Sequence, residues 1–265
     1  MGNTVRLFLL SLFFSVGEYV RLVIDSTKAV IKKPPAWALF REQFFHIGVM
    51  STLVVAITGF TTGFVLAAQS VYQLSDKGLA GVTGLLVGKA MITELGPILT
   101  AFMVTGRVGS AMCAELGSMK VSEQIDALRS MAIDPHRHLV APRCIAGIIM
   151  VPLLTIFSML MGIWGGYIIA VLWFGMSPAT YYNPMPIHIT GFDVFTGVFK
   201  SLIFGMILVT ICCYKGIKTT GGAAGVGMST TKSVVISYVL ILIWDFFLTM
   251  GLNAIHAELM WDWGS

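Results

Sequence analysis

Apolar runs with few or no charges alternate with short polar stretches along almost the whole chain, and the alternation predicts five membrane-crossing helices. The runs cover about 47–71, 84–109, 144–173, 194–214 and 233–256, each at least as long as the roughly 20 residues a helix needs to cross about 30 Å of hydrocarbon. The first carries Gly59-x-x-x-Gly63, a spacing that lets helices approach closely and that also occurs by chance. The second is studded with glycine and holds Lys89, Glu94, Gly96, Pro97 and Arg107. The third continues without an Asp, Glu, Lys or Arg from Cys144 to Met176. At about 50 Å it exceeds the bilayer core, so it must tilt, kink at Pro152 or project from the membrane.

The polar stretches have patterns of their own. Residues 1–46 form an N-terminal region in which Glu18, Arg21, Asp25 and Lys28 recur at spacings of three and four, as expected of an amphipathic helix lying in the membrane interface. Trp37, Phe40 and Phe44 then suit headgroup depth before the first crossing. The segment "SPATYYNPMPIHITGFD", rich in proline and aromatics, predicts a loop, and residues 257–265 a short acidic, aromatic tail. Between spans 2 and 3 lies "ELGSMKVSEQIDALRSMAIDP", from Glu115 to Pro135. Within it Val121, Ile125, Leu128 and Ala132 share one helical face, Ser122 is a candidate N-cap and Asp134-Pro135 a stop. This predicts a helix of about twelve residues, near 18 Å and too short to cross. Its apolar face either lies on the membrane or on the protein itself, or docks into a groove of a soluble partner.

Composition sharpens this to an all-α integral membrane protein, since 56% of the 265 residues are hydrophobic and only 11% charged, against about 25% in a soluble domain. No stretch is long enough for a separate soluble domain, so any soluble machinery belongs to other chains. The net charge of +4 is small and dispersed, which argues against nucleic acid. Its distribution gives orientation instead. Six Lys or Arg precede span 1, five flank the loop after span 2 and three follow span 4, while the alternate segments have almost none. By the positive-inside rule the N-terminus is cytoplasmic and the C-terminus lies on the outer face. Cys113, Cys144, Cys212 and Cys213 lie in or beside apolar segments without C-x-x-C spacing and are expected as small buried side chains. Asp134, His136 and His138 lack the spacing of a metal site.

Ionisable groups inside the spans need a reason, because each costs about 2.5–3.5 kcal/mol at the bilayer centre. Glu94 and Asp245 both fall near the midplane, whereas Lys89 and Lys200 are placed nearer the outer end, within snorkelling reach, and Arg107 near the inner end. The two acids either hold the bundle together, protonated or in an interhelical pair, or line a polar patch in a lipid-sized cavity. Gly96 and Pro97 would loosen the helix beside Glu94.

Two long motifs then resemble a known family. "ELGPILTAFMVTGRVGSAMCAELGSMKVSEQIDALRSMAIDP" and "GGAAGVGMSTTKSVVISYVLILIWDFFLT" are similar to the two signatures of MlaE/YrbE-type permeases, the membrane subunits of bacterial ABC systems that move lipids between envelope membranes. The resemblance covers about 40–252. It implies that the helix at about 116–133 is a cytoplasmic coupling helix seated in an ATPase subunit, with Glu115, Glu123, Gln124, Asp126, Leu128 and Arg129 as contact candidates. It also implies that Glu94, Leu95 and Pro97 line the substrate cavity, with Asp245 at an acidic position of the second signature. The implied partners are a second copy of the chain, an ABC ATPase that binds ATP and Mg, an outer-face MCE-domain protein, a STAS-domain protein and a phospholipid or related lipid, in a bacterial inner membrane. The residues themselves agree that no cofactor or nucleotide is bound by this chain: Gly222 to Ser229 imitates a Walker A spacing, but Met228 stands where the phosphate-binding lysine is required. Two other classes compete with a transporter subunit lacking its own ATPase. A proton-coupled lipid carrier would use Glu94 and Asp245, although no internal repeat is visible. An intramembrane lipid-modifying enzyme would need a nucleophile and base or a metal at membrane depth.

Overall fold

The computed structural model describes residues 17–21, 24 and 37–262. Five helices in it are long and apolar enough to cross a membrane: α1 (Leu39–Ser75), α2 (Ala80–Val121), α4 (His136–Trp173), α7 (Gly191–Ile217) and α8 (Gly222–Asp262). In hydrocarbon each backbone N–H and C=O must find its partner inside its own helix, so even segments rich in Val, Ile and Thr stay helical. Several threonines return their hydroxyls to the carbonyl four residues earlier, as Thr52 does to Gly48 at 3.0 Å. A short helix α3 (Gln124–Ser130) joins α2 to α4, and two more, α5 (Pro178–Tyr182) and α6 (Met185–His188), join α4 to α7. The ends where α2 and α7 finish and α1, α4 and α8 begin gather most of the Lys and Arg and are called the basic end below.

The helices outrun the apolar runs that announced them. Span 2 continues as one helix to Val121, which takes in the first residues of the helix expected at 116–133, and span 5 starts at Gly222 rather than near 233. Left-handed backbone at Gly221 and Gly222, φ 90° and 65°, makes the turn into α8. What remains as a lateral element is the seven-residue α3. Ser122 closes α2 instead of capping α3, and Glu123 occupies the corner with a left-handed φ of 59°. Ile125 is fully buried and Leu128 packs on the same core, whereas Val121 and Ala132, expected on that face, are exposed outside the helix. The segment expected as an outer loop is partly helical. Pro178 presets the first turn of α5, and Tyr181 is buried with its hydroxyl on the Ile163 carbonyl at 3.0 Å.

Close approach of glycines sets the packing. A Cβ on Gly63 would lie 1.8 Å from the Gly162 carbonyl oxygen and one on Gly59 2.6 Å from that of Ser158, so the Gly59-x-x-x-Gly63 face of α1 presses backbone to backbone on α4. The main core lies between α1, α2, α4, α7 and α8 toward the basic end, and two smaller clusters fill the far end around Met91 and Tyr181. Of the N-terminal amphipathic helix, residues 17–21 and 24 are helical. Tyr19 bonds Thr210 at 2.7 Å, and Glu18 pairs with Lys218. That hydrogen bond holds the Glu18 carboxyl below the usual carboxylate range. Asp25 and Lys28 lie outside the described residues.

Five helical turns in the long spans widen to π geometry: Phe45–Val49, Met91–Leu95, Thr105–Gly109, His136–Val140 and Ile168–Trp173. Such turns splay the helix and re-aim side chains, and they concentrate at functional sites. Four of them carry ionisable residues: His46, Glu94, Arg107, and the run His136, Arg137 and His138 at the start of α4.

Candidate substrate-path site

The sequence placed Lys200 near the outer end of its span; the structure encloses it completely. Its helix starts earlier than the apolar pattern suggests, because Thr190 and Asp193 form a capping box that opens α7 at Gly191. Lys200 therefore sits nine residues in, about 14 Å along the axis. Its side chain is 0% exposed and cannot snorkel.

The ammonium instead finds three acceptors. Nζ donates to Glu94 Oε2 at 2.7 Å, Thr249 Oγ1 at 2.7 Å and the Thr93 carbonyl at 3.1 Å. The last is free for a covalent reason: Pro97, four residues on, has no N–H to return to it. Three N–H donors are thus consumed. Asp245 Oδ1 lies 3.1 Å from Nζ as an ion pair, yet it has no hydrogen-bond partner. The Thr249 hydroxyl donates to the Asp245 carbonyl at 2.7 Å, with Glu94 Oε1 3.3 Å away.

Helices α2, α7 and α8 are therefore tied at one level by one ammonium and two carboxylates. The two acids that the sequence singled out separately are halves of one cluster, and its centre is the lysine assigned elsewhere. Glu94 is the open member, its side chain 35% exposed against 15% for Asp245. Leu95 packs on the far-end cluster, and Pro97 is buried in the helix stack. Lys89 stays half exposed and pairs with Asp193 at 3.7 Å. Thr93 and Thr249 were not anticipated. A sequence signal did exist in the Thr190-x-x-Asp193 box, which places Lys200 at the depth of Glu94.

At the basic end Glu115 meets the buried Arg143 at 2.9 Å, and Arg143 also donates to the Leu139 carbonyl at 2.8 Å. This pair locks the end of α2 to the start of α4, directly beside α3. Asp126 links Lys120 at 2.7 Å and Arg129 at 3.2 Å, so α3 is clamped to α2 by exposed charges. Glu123, Gln124, Asp126 and Arg129 all face outward.

A five-span bundle pinned by a Lys200–Glu94–Asp245 cluster invites comparison with known membrane proteins. The family model for the permease MlaE matches residues 40–251. This chain belongs to the MlaE permease family. Among its relatives, a probable ABC transporter permease protein of Rickettsia bellii is 35% identical over 249 residues, 94% of this chain and 96% of its own length. A probable ABC transporter permease protein of Synechocystis is 40% identical over 208 residues, 78% of this chain and 79% of its own. The intermembrane phospholipid transport system permease protein MlaE of Haemophilus influenzae is 35% identical over 225 residues, 83% of this chain and 86% of its own. As an MlaE-family permease with five apolar helices, the chain is a multi-pass membrane protein.

Proposed function

We propose that this MlaE-family permease is the membrane subunit of an ATP-driven lipid transporter, moving phospholipids or related lipids between the inner membrane and the outer envelope. A separate ABC ATPase supplies the hydrolysis. In this reading the basic end faces the cytoplasm, and the outward side of α3, with Glu123, Gln124, Asp126 and Arg129, meets the ATPase, while Leu128 and Glu115 seat α3 on the bundle. Two copies enclose the lipid path, an MCE-domain protein receives or delivers lipid at the far end, and a STAS-domain protein accompanies the ATPase.

The observation that carries the reading is the cluster at membrane depth, of which Glu94 alone is substantially open. A charge enclosed in a bundle and pinned to three helices is the kind of group expected along a substrate pathway. Any motion that separates α8 from α2 must break the Lys200 contacts, so the cluster is a latch between the spans that move. At the basic end, Arg143–Glu115 makes α3, α2 and α4 one lever, through which a push on α3 reaches Glu94 along α2. Glu94→Ala removes one of two carboxylates and leaves Lys200 paired with Asp245. A complex reconstituted with its ATPase is therefore expected to assemble normally with Glu94→Ala and to move lipid several-fold more slowly. Wild-type rates in that variant would reject the proposal.

A further inference from the structure

A second polar site lies far from the ion cluster, at the basic end between the start of α1 and the last turns of α2. It is a pocket of about 490 Å³ lined by Glu42, His46, Arg107, Ala111 and Glu115 among others, within the roughly 300–1,000 Å³ range of small-molecule sites. Arg107, Ala111 and Glu115 stand four residues apart on one exposed stripe of α2. Ala111 leaves the gap between the two charges, and Val108 and Met112 lie buried beneath. Glu42 and His46, also four apart, face them from α1. His46 and Arg107 each sit on a π turn, so both helices are locally rewound at this level.

The charges in the pocket are not used up. Arg107 gives one N–H to Ser51 Oγ at 2.9 Å and, among the described residues, makes no ion pair; Glu42 makes none either. A guanidinium and a carboxylate that share a pocket without pairing suit a ligand carrying both opposite charges.

Depth says which ligand. Arg107 lies thirteen residues beyond Glu94 on α2, about 20 Å along the axis. His46 lies twenty-nine residues before Ser75 at the far end of α1, about 43 Å, which matches the roughly 40–45 Å of a bilayer with its headgroups. The pocket is therefore in the headgroup layer. From it Val49, Met50, Leu53 and Ile57 continue along α1 toward the bilayer centre, all exposed, as a track for acyl chains.

We infer that this pocket binds the headgroup of a zwitterionic phospholipid in the leaflet at the basic end, with Arg107 on the phosphodiester and Glu42 on the ammonium. Glu115, held by Arg143, forms the pocket's inner rim. The site adds a lateral lipid contact to the transport reading and is tested by binding alone.

The full-length chain is released from nanodiscs of equal parts phosphatidylethanolamine and phosphatidylglycerol, and the retained lipids are counted by native mass spectrometry. Wild type is expected to retain phosphatidylethanolamine preferentially. Arg107→Gln should lower retention of both lipids roughly tenfold, the cost of one charge-assisted hydrogen bond, and Arg107→Lys should restore much of it. Glu42→Gln should abolish the preference while sparing phosphatidylglycerol. Ala111→Trp fills the gap without removing a charge and should reproduce the Arg107→Gln loss, which separates occupancy of the pocket from any misfolding of Arg107→Gln. Equal retention by wild type and Ala111→Trp overturns the site. Displacement of the lipid by inorganic phosphate or glycerophosphoethanolamine at equal concentration overturns its assignment to a lipid.

Discussion

α7 and α8 are equally apolar and adjacent, yet 56% of the apolar segment of α7 is buried and only 11% of that of α8. The side chains explain the difference. α7 turns Gly197, Ser201, Gly205, Thr210, Cys212 and Cys213 to its neighbours, small groups that let other helices come close. α8 turns Trp244, Phe246, Phe247 and Met250 outward. Among the described residues its polar anchors to the other spans are few: Asp245 and Thr249 at Lys200, Tyr238 on the Phe102 carbonyl at 3.2 Å, and Ser237 4.0 Å from the Cys212 sulfur. Lipid tails and a protein interior are both oil, so hydropathy detects the oil without saying which kind a helix faces. One helix is the bundle's axle, and the other is an outrigger held at points.

The largest effect is expected where the two helices meet. Lys200→Met leaves Glu94 and Asp245 together without a cation, and removing one partner of a buried ion pair costs about 3–5 kcal/mol. Thermal unfolding in detergent should show a marked loss of stability, and Glu94→Gln added to Lys200→Met should recover part of it, since the two share one cluster. An unchanged melting temperature for Lys200→Met would dissolve the latch.

Paired glycine substitutions give the next largest contrast, with opposite signs. A Cβ on Gly197 of α7 meets the Ile92 carbonyl oxygen at 2.1 Å, so Gly197→Ala should destabilise by about 1–3 kcal/mol through overpacking. Gly251 of α8 has nothing within 4 Å of an added Cβ, so Gly251→Ala should stabilise by up to about 1 kcal/mol by removing the glycine penalty in a helix. If Gly251→Ala impairs dimer assembly instead, that face of α8 is covered by a second copy and not by lipid.

The smallest effect belongs to the exposed charges of α3, the counterpart of the enclosed cluster. The Asp126 carboxyl is held below its usual range, first by the Lys120 hydrogen bond and then by the charges of Lys120 and Arg129. A depressed carboxylate contributes stability that is complete above the unfolded value near 3.9 and disappears as pH falls through the lower folded value. The protection factors of the α3 amides, with the intrinsic pH dependence of exchange removed, should therefore stay constant from pH 7 to about pH 5 and fall modestly below pH 4, less so in high salt. A fall in protection already at pH 6 would assign the clamp to another group.

The sequence by itself determined that the chain is helical and membrane-spanning, that it crosses five times, and which family it resembles. Long apolar runs in lipid leave the backbone no alternative to helix, and that constraint is local. It also flagged Glu94 and Asp245, because an acid in hydrocarbon is conspicuous wherever it points. Tertiary structure alone decided that these acids share Lys200, that Pro97 frees a carbonyl for the same ammonium, and that the expected twelve-residue helix divides at Glu123. Those outcomes depend on the depth at which three separate helices meet, and depth is set by where each helix starts. Helix starts here are governed by caps and glycine turns, such as Thr190 with Asp193 and the Gly221–Gly222 pair, which hydropathy does not register.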